Sequence, residues 1–302
     1  MTPTEVAILK TILYADVFSF PLTLDDLHRY LIHDTALKKS TIDTALKKST
    51  LLKQYLCMQD DYICLKTRQS IIDIRREREK VSLDLWASAN KYGLWLSHIP
   101  FVRMVALTGA LAVRNPAGID DDFDYLLVTT RGRVWLARAF AVLLVKIVQL
   151  FGRELCPNYV LADNQLVQSR QDLYTAHEVA QMIPIYGQNT YHAIIEQNPW
   201  VQEHLPNVVS YNIQENQTYH LRKIAEWMLG GWLGDKIEQW EYRRKLNKFS
   251  PKIKQAQSSA EINQNSVKGH FEDHGQPVMQ RYYELLDEYG LLDDSVHALA
   301  GD

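Results

Sequence analysis

The sequence predicts an α+β protein in which a mixed sheet flanked by helices lies between a small amino-terminal unit and a helical carboxy-terminal region. Three observations support this class: short helical patterns and a hairpin pattern come first, strand-like and helical runs alternate in the middle, and helical patterns dominate the end. A chain of 302 residues is long enough for two or three domains. The predicted segments are residues 1–66, a connecting helix over 67–99, an α/β core over 100–170 and a helical region over 171–302.

Residues 1–66 are predicted to form a winged-helix-like domain. Apolar residues at helical spacing indicate a first helix over 4–16, and Thr23 is a suitable N-cap for a second helix. A third helix is predicted over 36–52, and alternating residues on either side of Asp60-Asp61 predict a hairpin. Three short helices followed by a hairpin is the element order of a winged helix.

The third helix carries a short repeat, Thr-Ala-Leu-Lys-Lys-Ser-Thr, at residues 35–41 and again at 44–50. The lysines of this repeat could follow a nucleic-acid backbone and neutralise its phosphates. The alternative is a solvated helix face in a domain that packs against its neighbour. The first 50 residues carry six basic and six acidic side chains, so the unit as a whole is not basic, and DNA binding is one of two open interpretations.

The middle of the chain alternates strands and helices. The predicted elements are a strand over 102–108, a short helix over 109–116, a strand over 122–130, a long apolar helix over 134–151 and a strand over 157–163. The long helix contains Arg138, Lys146 and Gln149, whereas a membrane-spanning helix needs about 20 largely uncharged residues. It is therefore predicted to lie buried on the sheet.

The sequence pattern of the last third of the chain predicts mainly helices. The predicted helices cover 176–185, 190–197, 219–246 and 277–289. The third of these carries an apolar stripe that is predicted to be a seam of the core and comprises Trp227, Met228, Trp232, Ile237 and Trp240. A polar stretch near 247–267 is predicted to be a mobile linker.

Composition narrows the class of protein. Hydrophobic residues make up 46% of the chain and charged residues 23%, which is typical of a globular protein. The net charge of −3 excludes a strongly basic nucleic-acid coat, although not a local basic face. Cys57, Cys64 and Cys156 form no CxxC pair, which favours a reducing compartment, and Glu5 and Lys10 argue against a secretory signal. We expect a cytoplasmic protein without a membrane partner.

The predicted functional site is built around Gly109 and two aspartates. A predicted strand ends at Thr108-Gly109-Ala110, and Asp122 and Asp124 follow after eleven further residues. Residues two apart on a strand share a face, so the two carboxylates are expected to project together. Such a pair beside a glycine turn forms an oxygen-rich site suited to Mg²⁺ and the phosphates it carries. The alternative is that the acidic run 120–122 is only a solvated loop.

This spacing resembles the signature of the DNA polymerase β-like nucleotidyltransferase superfamily. In that signature an apolar residue, a glycine and a small residue precede an Asp-apolar-Asp-apolar sequence by roughly ten residues. Here the motif is Leu107-Thr108-Gly109-Ala110 followed by Asp122-Phe123-Asp124-Tyr125. The order of a winged-helix-like start, this motif and a Cys-Pro-Asn-Tyr strand at 156–159 also looks like a group of bacterial nucleotidyltransferase-domain proteins.

The resemblance implies a nucleotidyltransferase-type mixed sheet and transfer of a nucleoside monophosphate from a nucleoside triphosphate. The acceptor stays open between a small molecule, a protein side chain and an RNA end. Asp122 and Asp124 would be the catalytic residues and would hold one or two Mg²⁺ ions, with Mn²⁺ as a substitute. Arg138, shortly after the second strand, could neutralise phosphate charge, whereas Arg131 and Arg133 are expected to pair with surface acids. The residues expected to bind the nucleotide are Thr108, Gly109, Ala110 and Arg138.

Two positions leave open whether the predicted site catalyses nucleotidyl transfer. Ala110 stands where the signature often has a serine, and Asn158 stands where many members carry a third carboxylate on a later strand. Asp163 is an alternative source of that carboxylate, although it falls on the opposite face from Asn158. A non-catalytic nucleotide-binding regulatory or adaptor protein, which uses the winged helix to bind DNA or a protein partner, is therefore the alternative function.

A second cluster lies at 268–274. His270 and His274 would share a helix face at the i,i+4 spacing of metal ligands, although histidines in a polar segment are more often unliganded. Lys268 and His270 could instead face the central cleft and meet phosphate or the acceptor.

Overall fold

The computed structural model describes residues 1–213, 219–255, 262–268 and 274–292, and over these residues it shows a mixed α+β chain with two sheets. The elements of the amino-terminal unit are α1 (Pro3–Val17), β1 (Leu22–Thr23), α2 (Leu24–Arg29), α3 (Lys39–Lys48), α4 (Leu52–Tyr55), β2 (Leu56–Gln59) and β3 (Tyr62–Leu65). The predicted hairpin is confirmed, because β2 and β3 pair antiparallel with Cys57 opposite Cys64. The short strand β1 joins them as a third strand, which the sequence pattern did not predict.

The long helix α5 (Ile71–Ser97) leads from this unit to the central sheet, as predicted. The elements that follow are β4 (Val102–Leu107), α6 (Gly109–Ala112), β5 (Phe123–Thr129), α7 (Val134–Gln149) and β6 (Leu155–Ala162). All five correspond to predicted elements, although β6 begins at Leu155 rather than at Pro157.

The carboxy-terminal region is mainly helical, as predicted, but it also contains two short strands that the prediction missed. Its elements are α8 (Leu173–Gln181), β7 (Ile183–Tyr186), α9 (Gln188–Gln197), α10 (Val201–His204), α11 (His220–Leu229), α12 (Trp232–Gln255), β8 (Ser266–Lys268) and α13 (Gly275–Glu288). Residues 183–185, predicted to end a helix, form β7 instead, because Pro184 cannot continue a helix and its isoleucine neighbours favour a strand. The predicted linker is also wrong in part, since α12 continues through 247–255 and β8 begins at Ser266.

The central sheet has the strand order β7-β4-β5-β6-β8, in which β5 and β6 are parallel and the other pairs are antiparallel. Successive residues of β4 enter different cores: Met104 and Ala106 belong to one, Val105 and Leu107 to the other. The first core also contains α1 residues such as Ile8, so the amino-terminal unit packs on that face of the sheet. Helices α5 and α7 cover the opposite face.

The stripe predicted as a core seam lies on the surface, and that prediction is wrong. Trp227 is 83% exposed, and Met228, Trp232 and Trp240 are also exposed, while Ile237 is only partly buried. Helices α11 and α12 are separate, with Gly230 and Gly231 between them. None of the helices within the described ranges has the length and the apolar character that crossing a membrane requires.

Candidate metal and nucleotide site

Gly109 is the first residue of α6, at the turn that leads out of β4. Its φ is +67°, in the left-handed region that favours glycine, and a Cβ atom at this position would overlap the Asp124 carboxylate. The Thr108 amide donates a hydrogen bond to the Asp124 carbonyl oxygen at 2.9 Å, which fastens the turn to the start of β5. Glycine therefore lets the backbone approach this carboxylate more closely than any other residue could.

The two predicted carboxylates come together in the fold. One oxygen each of Asp122 and Asp124 and the sulfur of Cys156 lie within 4.8 Å of one another. Phe123, between the two aspartates, is fully buried, so its neighbours project from the other face of the strand. The two carboxylates therefore lie together at the start of β5, as the spacing predicts.

Asn158 reaches the same place through an irregularity in β6. Between the paired residues Asp124–Cys156 and Leu126–Tyr159, the register shifts because β6 carries one extra residue. The Asn158 side-chain nitrogen donates to an Asp124 oxygen, and its side-chain oxygen accepts from the Cys156 thiol. Asn158 thus lies beside Asp124, where the resemblance implies a third carboxylate.

The electrostatics of this cluster favour a cation. Burial is the main cause that raises the pKa of Asp124 to about 7; the charge of Asp122 adds to the rise, and the hydrogen bond from Asn158 opposes it. Burial and the same two carboxylates raise the pKa of the Cys156 thiol to about 12. A pair of carboxylates suits a hard divalent cation such as Mg²⁺, whereas a thiol sulfur suits softer metals.

A cavity of about 280 Å³ opens beside Asp124, and we call it the first cavity. Thr108 and Gly109 form part of its wall, and α8 forms another part. The lining includes three basic residues, Arg170, Lys268 and His274. An acidic centre with basic groups across a cavity is an arrangement that can hold a metal-bound polyphosphate.

Glu178 projects from α8 into the first cavity. The surrounding protein raises the pKa of its carboxyl by desolvation, and the charge of Lys268 opposes that rise. Sequence reasoning missed this residue, although a signal existed. Tyr174, Glu178 and Met182 are spaced four apart, so a carboxylate sits in an otherwise apolar helical stripe.

A second cavity, of about 260 Å³, lies between α1 and α8. It shares Gly109, Tyr174 and Glu178 with the first cavity, and Ala110 belongs to its lining. Most of its surface is apolar and aromatic, with contributions from Tyr14, Phe18, Phe20 and Tyr30. The two cavities therefore meet at the glycine turn and at one carboxylate.

Other predicted residues lie elsewhere. Arg138 is on α7, where burial lowers its pKa, and it lines neither cavity. Asp163, at the end of β6, accepts a hydrogen bond from the Arg131 amide at 3.0 Å and is exposed. Arg133 pairs with Asp235 at 2.7 Å, which confirms the expected surface anchor.

The histidine cluster is described only in part. His270 lies outside the described residues, so the predicted pairing with His274 lies outside them as well. His274 occupies the N-cap position of α13 and lines the first cavity. Lys268, on β8, lines it too, as the alternative interpretation expects.

The chain matches no family model, no curated protein and no solved structure.

Proposed function

We propose that the protein is a Mg²⁺-dependent nucleotidyltransferase that moves a nucleoside monophosphate from a nucleoside triphosphate to an acceptor. The observation that carries the proposal is that Asp124, which lies beside Asp122, lines a cavity together with the Gly109 turn and basic groups. The resemblance to the DNA polymerase β-like superfamily rests on the same residues.

The donor set fits Mg²⁺. Asp122 and Asp124 would hold the ion, since a divalent cation would favour the charged form of Asp124, whose pKa is raised by burial and, to a lesser extent, by the charge of Asp122. When bound, Mg²⁺ would stabilise the attacking and leaving oxygens of an in-line displacement at the α-phosphate. Mn²⁺ accepts the same oxygen ligands and is the expected substitute.

The chain's own side chains would bind the triphosphate and move the proton. Arg170 and Lys268 neutralise phosphate charge, and the side-chain-free Gly109 leaves room for phosphate against the turn. Glu178 accepts the proton of the acceptor's hydroxyl or amine group as the new bond to the α-phosphorus forms. The bond from that phosphorus to the bridging oxygen breaks, and pyrophosphate leaves.

The position of Glu178 also suggests where the acceptor binds. Because Glu178 lines both cavities, a nucleophile held in the second cavity could reach the carboxylate that receives its proton. The aromatic lining there suits an acceptor with an apolar or ring-containing portion. Asn158, which cannot accept a proton as a carboxylate does, instead orients Asp124 by its hydrogen bond.

Isothermal titration with Mg²⁺ and each ribonucleoside triphosphate tests the proposal. We expect binding by the wild-type chain and a loss of at least about tenfold in affinity for Asp124→Asn. Asp120→Asn is the matched control, because Asp120 is an exposed carboxylate of the same acidic run. No triphosphate binding by the wild type, or equal losses in both variants, would overturn the proposal. Incubating cell extract with labelled triphosphates, followed by mass spectrometry of nucleotidylated species, then identifies the acceptor.

A second candidate function is DNA binding by the amino-terminal unit. Its three principal helices and the sheet order β1-β3-β2 support a winged-helix-like arrangement, and Lys38, Lys39, Lys47 and Lys48 are exposed. Lys39 pairs with Asp25 and Lys47 with Asp43, which lowers the charge available for phosphate. Salt-dependent DNA binding that disappears when the four lysines become alanine supports this function, and no binding at low salt excludes it.

A further inference from the structure

Helix α11 is attached to the protein by its ionic side. Arg222 donates hydrogen bonds to the Ser97 carbonyl oxygen and the Tyr186 hydroxyl, both at 2.9 Å. Glu226 accepts from the Phe101 amide and from the Arg103 guanidinium, both at 2.8 Å. These contacts orient the helix, because they fix one side of it against the end of α5 and the start of β4.

The opposite side of α11 is apolar and faces outward. Leu221 and Trp227 are 84% and 83% exposed, and Ile224 and Met228 are more than half exposed. Leu221, Ile224 and Met228 follow the i, i+3, i+7 spacing that normally marks a core-facing stripe. No residue of α11 is buried. The helix is therefore amphipathic, but its polar side faces the protein and its apolar side faces outward, the reverse of an ordinary surface helix.

Helix α12 continues the arrangement. Glu238 and Glu241 are buried on its inner side, and Glu238 accepts hydrogen bonds from two amides at the start of α7. Trp232, Leu233 and Trp240 point outward and are exposed. The two consecutive helices together expose seven apolar side chains, which we call the α11–α12 face: Leu221, Ile224, Trp227, Met228, Trp232, Leu233 and Trp240.

Charge on the two helices is divided between inside and outside. The carboxylates of Glu226, Glu238 and Glu241 turn inward, and within 219–248 Asp235 is the one exposed acid. The exposed basic residues over the same range are Lys223, Lys236, Arg243, Arg244 and Lys248. The amine of Lys236 lies 4.6 Å from the centre of the Trp232 ring, and the Arg244 guanidinium lies 5.2 Å from that of Trp240. The face is thus apolar and tryptophan-rich, with basic groups among its apolar side chains.

We propose that the α11–α12 face docks the protein on an anionic lipid surface, with both helices lying along the interface. Tryptophan and aliphatic side chains enter the boundary between headgroups and acyl chains, while lysine and arginine meet anionic headgroups. This mode needs no spanning helix. The expectation of no membrane partner rests on the sequence pattern of membrane-spanning segments. That pattern does not test docking of a helix along the membrane surface.

Two other occupants fit the face less well. A single-stranded nucleic acid would stack on the tryptophans, but it offers no apolar surface to Leu221, Ile224, Met228 and Leu233. A second copy of the chain would place its exposed basic groups against those of the first copy. Each face has a single exposed acid, Asp235, so the two faces would repel each other. The combination of aliphatic, tryptophan and basic side chains matches a lipid interface.

Sedimentation with vesicles tests the docking. We expect the full chain to bind vesicles of phosphatidylcholine and phosphatidylglycerol, with weaker binding as salt increases and little binding to phosphatidylcholine alone. Tryptophan emission should shift to shorter wavelength on binding. The double variant Trp227→Ser/Trp232→Ser should lose at least about tenfold in vesicle affinity, and so should Lys223→Gln/Lys236→Gln/Arg243→Gln.

Matched controls lie on other helices. Trp86→Ser removes a partly exposed tryptophan of α5, and Lys47→Gln/Lys48→Gln removes exposed charge from α3; both should bind vesicles like the wild type. Circular dichroism and thermal melting check that each variant folds. The proposal is overturned by absence of binding to anionic vesicles at low salt, or by equal losses in the face and control variants. Two other outcomes also overturn the proposal. In one, the face variants lose binding to single-stranded RNA but bind vesicles like the wild type. In the other, they lose a concentration-dependent dimer of the wild type but bind vesicles like the wild type.

Discussion

Helices α8 and α11 have similar sequence patterns and opposite placements. Each carries apolar residues at helical spacing, interrupted by one charged residue in α8 and by three in α11. In α8 the apolar stripe enters the core, and the single carboxylate of Glu178 projects into a cavity. In α11 the charged residues hold the helix to the protein, and the apolar stripe is exposed. Periodicity therefore identifies an amphipathic helix, but the partners of its charged residues decide which side faces inward.

The largest effect is expected at the charged residue of α8. Glu178→Gln should reduce nucleotidyl transfer by about 10²–10⁴-fold, the usual contribution of a general base, while binding of Mg²⁺ and triphosphate changes little. Single-turnover kinetics and isothermal titration separate the two quantities. Glu203→Gln on α10, an exposed carboxylate outside both cavities, should retain full activity. If Glu178→Gln transfers at the wild-type rate, Glu178 is not the base.

The neighbouring residue of α8 predicts a pH effect on stability. His177 is buried against the Tyr14 ring, and burial lowers its pKa to about 4, whereas an unfolded histidine titrates near 6.5. As pH falls from 6.5 to 4, the unfolded chain takes up a proton that the folded chain does not, so the free energy of unfolding decreases over this window. Between pH 7.5 and pH 5 the loss attributable to His177 is about 2 kcal/mol.

Denaturant unfolding at both pH values measures this loss. His177→Phe keeps a ring against Tyr14 and cannot titrate, so its free energy of unfolding should fall by about 2 kcal/mol less than that of the wild type over the same pH change. Comparing the two chains cancels the contributions of other groups, such as Glu178, that titrate in both. Equal pH slopes in the two chains would show that His177 is not the group responsible.

The polar attachment of α12 is the next test. Glu238 is buried and accepts hydrogen bonds from the amides of Trp135 at 3.0 Å and Leu136 at 2.6 Å, at the positive end of α7. Glu238→Gln leaves one of these amides without an acceptor and should lower the free energy of unfolding by about 1–3 kcal/mol. Glu77→Gln, which removes an exposed partner of Lys80, should cost less than about 0.5 kcal/mol. Chemical denaturation of both variants decides whether the inner side of α12 is held by its carboxylates.

A feature of this protein could be predicted from the sequence when the residues that form it lie close together along the chain. Gly109, Asp122 and Asp124 could be identified because the turn and both aspartates lie within a short stretch of sequence. The cavity could not, since Arg170 and Lys268 come from segments that meet only in the fold. The same limit applies to β7 and β8, which are strands of four and three residues whose pairing with β4 and β6 is long-range.

The α11–α12 face differs from the prediction for another reason. The sequence pattern predicts one helix over 219–246 with a buried apolar stripe, whereas two helices are present and most of the stripe is exposed, because hydrophobic content alone does not determine which side of a helix faces the core. The partners that hold α11, at Ser97 and Arg103, are more than 100 residues away, since Arg222 lies 125 positions after Ser97. No window of sequence that contains the helix contains those partners. The register shift that brings Asn158 to Asp124 is similarly invisible to a strict two-residue alternation.

The smallest expected effect is on the free energy of unfolding of a variant in α11, and it compares that helix directly with α8. Trp227→Ala on α11 should change the free energy of unfolding by less than about 0.5 kcal/mol, because the side chain is 83% exposed and leaves no cavity when removed. Leu173→Ala on α8 should cost about 2–5 kcal/mol, because that side chain is buried in the core. Denaturant titration of the two variants in the absence of lipid measures both values. A large loss for Trp227→Ala would mean that the stripe is buried as a core seam and that α11 turns its apolar side inward.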